Sequence, residues 1–115
     1  MKLNVAICQL NMAWCDVRAN LVRAEAFVAG CDADIVVLPE TFATGFVVDT
    51  GAVAQPMDGP VVTWLRRTAA KYGRAIVGSV AIAENGKYFN RMLFVKPSGE
   101  TACYDKRHLF GIGGE

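Results

Sequence analysis

The segment Asp34–Glu40, which reads DIVVLPE, decides the fold of this chain. Its apolar, mostly β-branched centre is typical of a strand that is buried on both faces of a parallel sheet. Pro39 has no amide hydrogen to donate, so strand pairing is expected to stop there. Glu40 therefore falls at the carboxyl end of a central strand, where open α/β sheets bind their ligands. A carboxylate partly against apolar walls is suited to be a general base, although a solvated strand-end glutamate is the commoner outcome.

Length and composition indicate one globular domain. The chain has 115 residues, of which 53% are hydrophobic and 20% charged, as in a folded protein with one core. The net charge is +1 and no basic tract occurs, which argues against nucleic acid or a membrane as a partner. Polar residues interrupt the apolar stretch at the N-terminus, which argues against a signal peptide. No apolar run is long enough to span a bilayer. We therefore expect a cytoplasmic protein.

The four cysteines are Cys8, Cys15, Cys31 and Cys103, and none forms a C-x-x-C pair. Free thiols in a reducing cytosol are expected, rather than disulfides or a metal site. Cys8 and Cys103 fall within predicted strands and are expected to pack in the core, whereas Cys15 and Cys31 flank a helix. None stands where a thiolate would be activated, so none is assigned as a nucleophile.

The remaining segments predict the order β-α-β-loop-α-β-β-β, which gives an α/β layered fold with a mixed sheet. Cap residues place helix starts at Asp16 and Pro60 and helix ends at Gly30 and Gly73. The pair Asn85-Gly86 is a strong hairpin signal. Strands are predicted over residues 3–10, 35–38, 75–83, 88–96 and 101–104, and a long loop over residues 41–57.

A second candidate site is the charged segment 104–110, which reads YDKRHLF and follows the last predicted strand. Lys106 would reach Glu40 if their strands are near neighbours, and an ammonium there can stabilise a developing oxyanion. A solvated charged turn is the commoner outcome for such a run. The chain then closes with GIGGE over residues 111–115, and no helix follows to cover the far side of the last strands. We therefore expect a sheet left partly bare, as in a chain cut short within a larger fold.

Two motifs in this order, LPETF at residues 38–42 and YDKRHLF at residues 104–110, resemble the nitrilase superfamily of carbon–nitrogen hydrolases. The opening VAICQL, residues 5–10, resembles the start of those enzymes, and Gly45-Phe46 is most similar to the omega-amidase branch. The resemblance covers the whole chain. It implies an α-β-β-α sandwich, commonly dimerised through its helical layers, with residues 1–115 as the N-terminal portion of a single domain.

The same resemblance implies roles for particular residues. Glu40 corresponds to the general base, Lys106 to the lysine that stabilises the tetrahedral intermediate, and Glu115 to a second glutamate that positions the lysine and the substrate. Phe42 and Phe46 are candidates for the substrate pocket, although aromatics after a strand more often pack in the core. The family nucleophile is a cysteine well downstream of the lysine motif, and no cysteine of this chain fits that place. These residues alone are therefore expected to be inactive.

The implied reaction is hydrolysis of the terminal amide of a small ω-amido acid or its 2-oxo form, with no metal or organic cofactor. A homo-oligomer, commonly a dimer, or a missing C-terminal portion is the implied partner. Three alternatives stay open at this point. The protein could be a nitrilase or N-carbamoyl amidohydrolase, a fragment that binds another chain through its uncovered sheet, or a small ligand-binding domain. Only the enzyme hypotheses require a further, downstream cysteine.

Overall fold

The computed structural model describes residues 2–47 and 49–107. Within these residues one five-stranded sheet follows the order of the chain. The first three strands are mutually parallel, and the last two are antiparallel to their predecessors, which confirms the expected α/β fold with a mixed sheet. The strands are β1 (Val5–Ile7), β2 (Ile35–Val37), β3 (Ala75–Glu84), β4 (Lys87–Val95) and β5 (Thr101–Asp105).

Three helices connect the parallel strands in the described part of the chain: α1 (Val17–Gly30), α2 (Thr50–Val53) and α3 (Pro60–Tyr72). The predicted caps at Asp16 and Gly73 are confirmed, because the Asp16 carboxylate accepts from the Ala19 amide at 3.1 Å and Gly73 ends α3 at φ 65°. Gly30 is the last residue of α1, and Cys31 is its C-cap. The single-turn helix α2 lies inside the segment expected to be loop throughout. Gly51 lowers helix propensity there, so the sequence carries no helical pattern for it.

The end of β2 agrees with the expected effect of proline. Leu38 donates its amide to Val77 O at 2.7 Å, and Pro39 then interrupts the ladder. The first strand is shorter than predicted, because β1 is an edge strand that pairs with β2 over three residues only. β3 is longer than β1 and β2, so it extends beyond their carboxyl ends.

The hydrophobic core lies between α1, α3 and one face of the sheet. Alternate residues of β3 point into it, so that Ile76, Val80 and Ile82 are buried while Val77 is only half-buried. The helices supply the facing side chains of the core, which include Ala24, Val28, Val62, Leu65 and Ala69.

The opposite face of the sheet is covered only in part by the described residues. Val5, Ile7, Met92 and Tyr104 share this face through the strand register, and they are 51%, 72%, 43% and 53% exposed. A group of exposed apolar side chains on one face of a sheet is unusual on the surface of a monomer. The expectation of a partly bare sheet is therefore confirmed for this part of the chain.

The cysteines are all free thiols, as expected. Cys8 is 3% exposed, and this burial raises the pKa of its thiol. Cys15 is exposed and Cys31 half-buried. The expected packing of Cys103 is wrong, because β5 is an edge strand whose side chains no helix of the described chain covers.

No helix in residues 2–47 and 49–107 is long and apolar enough to cross a membrane. No group of His, Cys, Asp and Glu side chains in those ranges is arranged to hold a metal ion.

Arg91 ties the last three strands together. Its side chain is 9% exposed and donates from Nε to Asp105 Oδ1 at 2.7 Å and from Nη2 to Asp105 Oδ2 at 3.2 Å. Nη1 donates to Glu84 Oε2 at 2.5 Å. The hydrogen bonds that Arg91 donates to Asp105 and, to a lesser extent, to Glu84 raise the pKa of its guanidinium. This planar fork fixes the end of β5, and thereby the residue that follows it.

Gly78→Ala should destabilise the fold. A Cβ at Gly78 would lie 2.9 Å from Cδ1 and Cε1 of the fully buried Phe42, so the aromatic ring or the strand would have to shift. We expect a loss of about 1–3 kcal/mol in the free energy of unfolding, measured by urea titration. Gly30→Ala is the matched control, because its Cβ would meet nothing within 4 Å. Equal midpoints for the two variants would contradict this packing.

Arg91→Met should also destabilise the fold, because it leaves Glu84 and Asp105 without their shared cation. Both carboxylates keep some solvent contact, so we expect a loss of about 1–3 kcal/mol rather than more. Lys96→Met is the control, since its ion pair with Glu100 is exposed and should contribute under about 0.5 kcal/mol. The two free energies come from the same denaturant titration. A loss for Arg91→Met no larger than for the control would refute the anchoring role.

Candidate active site

Glu40 and Lys106 meet at one edge of the sheet. Glu40 follows β2 and Lys106 follows β5 directly. Two antiparallel pairings separate β3 from β5, so β5 runs in the same direction as β2 and β3. Their carboxyl ends therefore lie on the same side, and Lys106 Nζ donates to Glu40 Oε2 at 3.0 Å. The two side chains remain 31% and 50% exposed, so water reaches the pair.

Asn90 of β4 is a third member of this cluster, and the sequence analysis missed it. Its side-chain amide donates from Nδ2 to the same oxygen, Glu40 Oε2, at 2.7 Å. Its backbone carbonyl accepts from the Lys106 amide at 2.9 Å. Asn90 is 8% exposed although it is polar. The signal that could have found it is a lone amide among the apolar residues on one face of β4, in a register fixed by the Asn85-Gly86 turn.

The turn after Glu40 is held by β3. Thr41 has φ +46°, a left-handed conformation that costs a β-branched residue energy. Its amide donates to Ser79 Oγ at 2.8 Å, and its carbonyl accepts from the amides of Thr44 and Gly45. These bonds fix the direction in which the chain leaves Glu40. Functional sites commonly hold such strained residues in place with their surroundings.

A fully buried asparagine fixes the same turn from the helical side. Asn20 of α1 donates from Nδ2 to the carbonyls of Ala13 and Ala43, at 2.7 and 2.8 Å. Its Oδ1 accepts from the Ala13 amide at 2.7 Å. The segment after Glu40 is thus anchored to both the sheet and the first helix.

Two cavities adjoin the cluster. A cavity of about 400 Å³ opens beside the bare sheet face and is lined by Glu40, Lys106 and Arg107, with apolar side chains such as Met92. A larger cavity of about 580 Å³ lies between the segment after Glu40 and the start of β4. Asn90 lines both. The cluster therefore stands where a small ligand can reach both Glu40 and Lys106.

The other residues singled out by sequence fall in different places. Phe46 lines the larger cavity. Phe42 is fully buried, with its ring centroid 5.7 Å from that of Trp64, and lines neither of these cavities. The structure thus gives Phe42 a packing role. Glu115 and His108 lie outside the described residues. No cysteine of the chain lines either cavity.

The arrangement suits proton transfer beside a fixed positive charge. Both donors converge on Oε2, and Oε1 accepts no hydrogen bond from the described residues. Oε1 can therefore exchange a proton with a bound reactant while Lys106 stabilises negative charge that develops nearby. Among the described residues the cluster brings together a carboxylate, an ammonium and an amide, but no thiol.

Comparison with known proteins gives the same family as the motifs. Residues 4–114 match the family model of carbon-nitrogen hydrolases. The chain is 37% identical over 114 residues to the omega-amidase YafV of Yersinia enterocolitica, covering 98% of this chain and 44% of that protein. It is 32% identical over 120 residues to the 2-oxoglutaramate amidase of Bacillus subtilis, covering 100% of this chain and 46% of that one.

A solved structure agrees closely with the fold. The crystal structure of XC1258 from Xanthomonas campestris is of a CN-hydrolase superfamily protein with an arsenic adduct in its active site. It superposes with a TM-score of 0.92 at 40% identity, covering 98% of this chain and 43% of that one. The chain thus spans under half the length of the relatives it matches. Because the family model covers nearly all of its sequence, this chain belongs to the carbon-nitrogen hydrolase family, the nitrilase superfamily.

Proposed function

We propose that this chain is the N-terminal portion of an amidohydrolase, which hydrolyses the terminal amide of a small ω-amido or 2-oxo ω-amido acid. The observation that carries the proposal is the 3.0 Å contact between Lys106 Nζ and Glu40 Oε2 at the mouth of a cavity. The names of two relatives, an omega-amidase and a 2-oxoglutaramate amidase, support this substrate class. Arg107 adds a second cation to the cavity wall, which suits an acid as substrate.

In the proposed reaction a cysteine beyond residue 115 supplies the nucleophile. Glu40 takes the thiol proton, and the thiolate sulfur bonds to the amide carbon. The ammonium of Lys106 stabilises the oxyanion that forms. The C–N bond then breaks, Glu40 returns its proton to the leaving nitrogen, and ammonia departs, which leaves a thioester. Glu40 next takes a proton from water, whose oxygen attacks the thioester carbon. The C–S bond then breaks, Glu40 returns this proton to the sulfur, and the carboxylic acid departs and loses its remaining proton to solvent.

The proposal places the nucleophile outside this chain because of where its own cysteines lie. Cys8 is buried in the core, and none of the other three lines a cavity beside Glu40. Glu115 is proposed to position Lys106 and the substrate, by its match to the second glutamate of the family. Phe46 is proposed to contact the substrate, because it lines the larger cavity. These residues alone are then inactive.

The proposed setting is the cytoplasm, with a homo-oligomer as the working form. The free state of all four thiols supports a reducing compartment. The outer surface of α1 carries Val22, which is 64% exposed and is available to a facing helix.

Glu40→Gln in the complete protein should abolish ammonia release from ω-amido acids. The amide of glutamine accepts no proton at Oε1, so both proton transfers fail, and we expect kcat/KM to fall by about 10³-fold or more. Glu40 is half exposed, so the unfolding midpoint should change little. Glu100→Gln, on the exposed turn before β5, is the control and should keep full activity. Turnover retained by Glu40→Gln would remove Glu40 from the mechanism.

Lys106→Ala should slow acylation far more than it weakens substrate binding, because the ammonium acts mainly on the charge that forms in the transition state. Single-turnover measurement of ammonia release separates the acylation rate from the substrate affinity. Lys71→Ala on α3 is the control, since Lys71 is exposed and lies away from both cavities beside Glu40. An acylation rate equal to that of the unaltered protein would exclude Lys106 from the site.

A further inference from the structure

We propose that Asn90 is the positioning residue of the site: it fixes which oxygen of Glu40 exchanges protons and holds Glu40 in register with Lys106. This inference rests on the proposed function. Asn90 contacts both members of the pair, through its side-chain amide to Glu40 Oε2 at 2.7 Å and through its backbone carbonyl to the Lys106 amide at 2.9 Å. One residue thus connects the base and the cation.

The rigidity of its surroundings makes Asn90 suitable for this role. It lies in β4, which pairs with β3 on one side and with β5 on the other. Asn90 is opposite Ala81 in the β3 register, and its neighbour Arg91 is opposite Asp105 in the β5 register. The backbone there cannot shift without breaking both ladders. A catalytic group is positioned more precisely when the residues that support it lie on central strands than when they lie on loops.

The chemistry of the amide explains why the choice of oxygen persists through a reaction cycle. Asn90 Nδ2 and Lys106 Nζ both donate to Oε2, and a carboxyl oxygen has two lone pairs to accept them. With both lone pairs engaged, an incoming proton must go to Oε1. The carbonyl form of Oε2 still accepts both bonds after Glu40 is protonated. The asparagine amide does not titrate, so it donates in both states of the base.

This role predicts which kinetic constant should change. Asn90 lines both cavities, so a side chain that merely fills space there would alter substrate affinity and hence KM. A residue that orients the base instead changes kcat, because misplacement of a catalytic group by about 1 Å can cost about 100-fold in rate. The split between kcat and KM therefore separates positioning from packing.

The test uses the complete protein with Asn90→Leu and Asn90→Asp, which keep the shape of the side chain but remove both donor hydrogens. We expect kcat for ammonia release to fall about 100-fold in each, with KM within about threefold of the unaltered value. Thr68→Ala is the matched control for lost stability, because Thr68 is also a buried polar residue but lies on α3. Its kcat should not change. A kcat near normal in Asn90→Leu, or a loss confined to KM, would overturn the proposal.

A second readout needs no turnover. The side-chain ¹⁵N amide resonance of Asn90, assigned by its absence in Asn90→Asp, should shift when Glu40→Ala removes the acceptor. It should stay in place in Glu100→Ala. An unshifted resonance in Glu40→Ala would overturn the contact itself. A protein that shows the shift but releases no ammonia from any amide would refute the proposed function while leaving the positioning of Glu40 by Asn90 intact.

Discussion

One carboxylate oxygen, Oε2 of Glu40, accepts hydrogen bonds from both Lys106 and Asn90, and the candidate site depends on that shared oxygen. The two donors and the acceptor come from segments far apart in the chain, so only the correct register of the sheet brings them together. Arg91 supports the site from the core face of the sheet. Its two hydrogen bonds to the Asp105 carboxylate fix the end of β5 just before Lys106. A single dipeptide of β4, Asn90-Arg91, thus holds the site from both faces of the sheet.

Much of this arrangement could be predicted from local chemistry. Pro39 cannot donate a backbone hydrogen bond, which predicts the end of β2 and the position of Glu40 just after it. The Asn85-Gly86 turn predicts the hairpin of β3 and β4 and its register. The contact of Asn90 with Glu40 could not be predicted. The alternation of side chains along β4 gives the face on which Asn90 lies, but not its partner at the end of β2, on the far side of β3. Cys103 was misplaced because a strand pattern does not show whether a helix covers that part of the sheet. Helix α2 lacked any pattern, with a glycine in its single turn.

The open sheet face and the incomplete chemistry of the site agree with each other. Apolar side chains on β1, β4 and β5 remain exposed in the described residues, on the same face as the smaller cavity. That cavity holds a carboxylate and an ammonium but no thiol. The chain matches relatives of the carbon-nitrogen hydrolase family over less than half their length. This partial match is consistent with the proposal that the nucleophilic cysteine is not one of the four in this chain.

The most direct test of the proposed function is to trap the acyl intermediate. The complete protein is mixed with an ω-amido acid, quenched in acid within one turnover and mapped by peptide mass spectrometry. The account predicts an acyl adduct on a cysteine other than Cys8, Cys15, Cys31 and Cys103, and no adduct when Glu40 is replaced by glutamine. An adduct on one of those four cysteines, or ammonia release with no adduct on any cysteine, would contradict it.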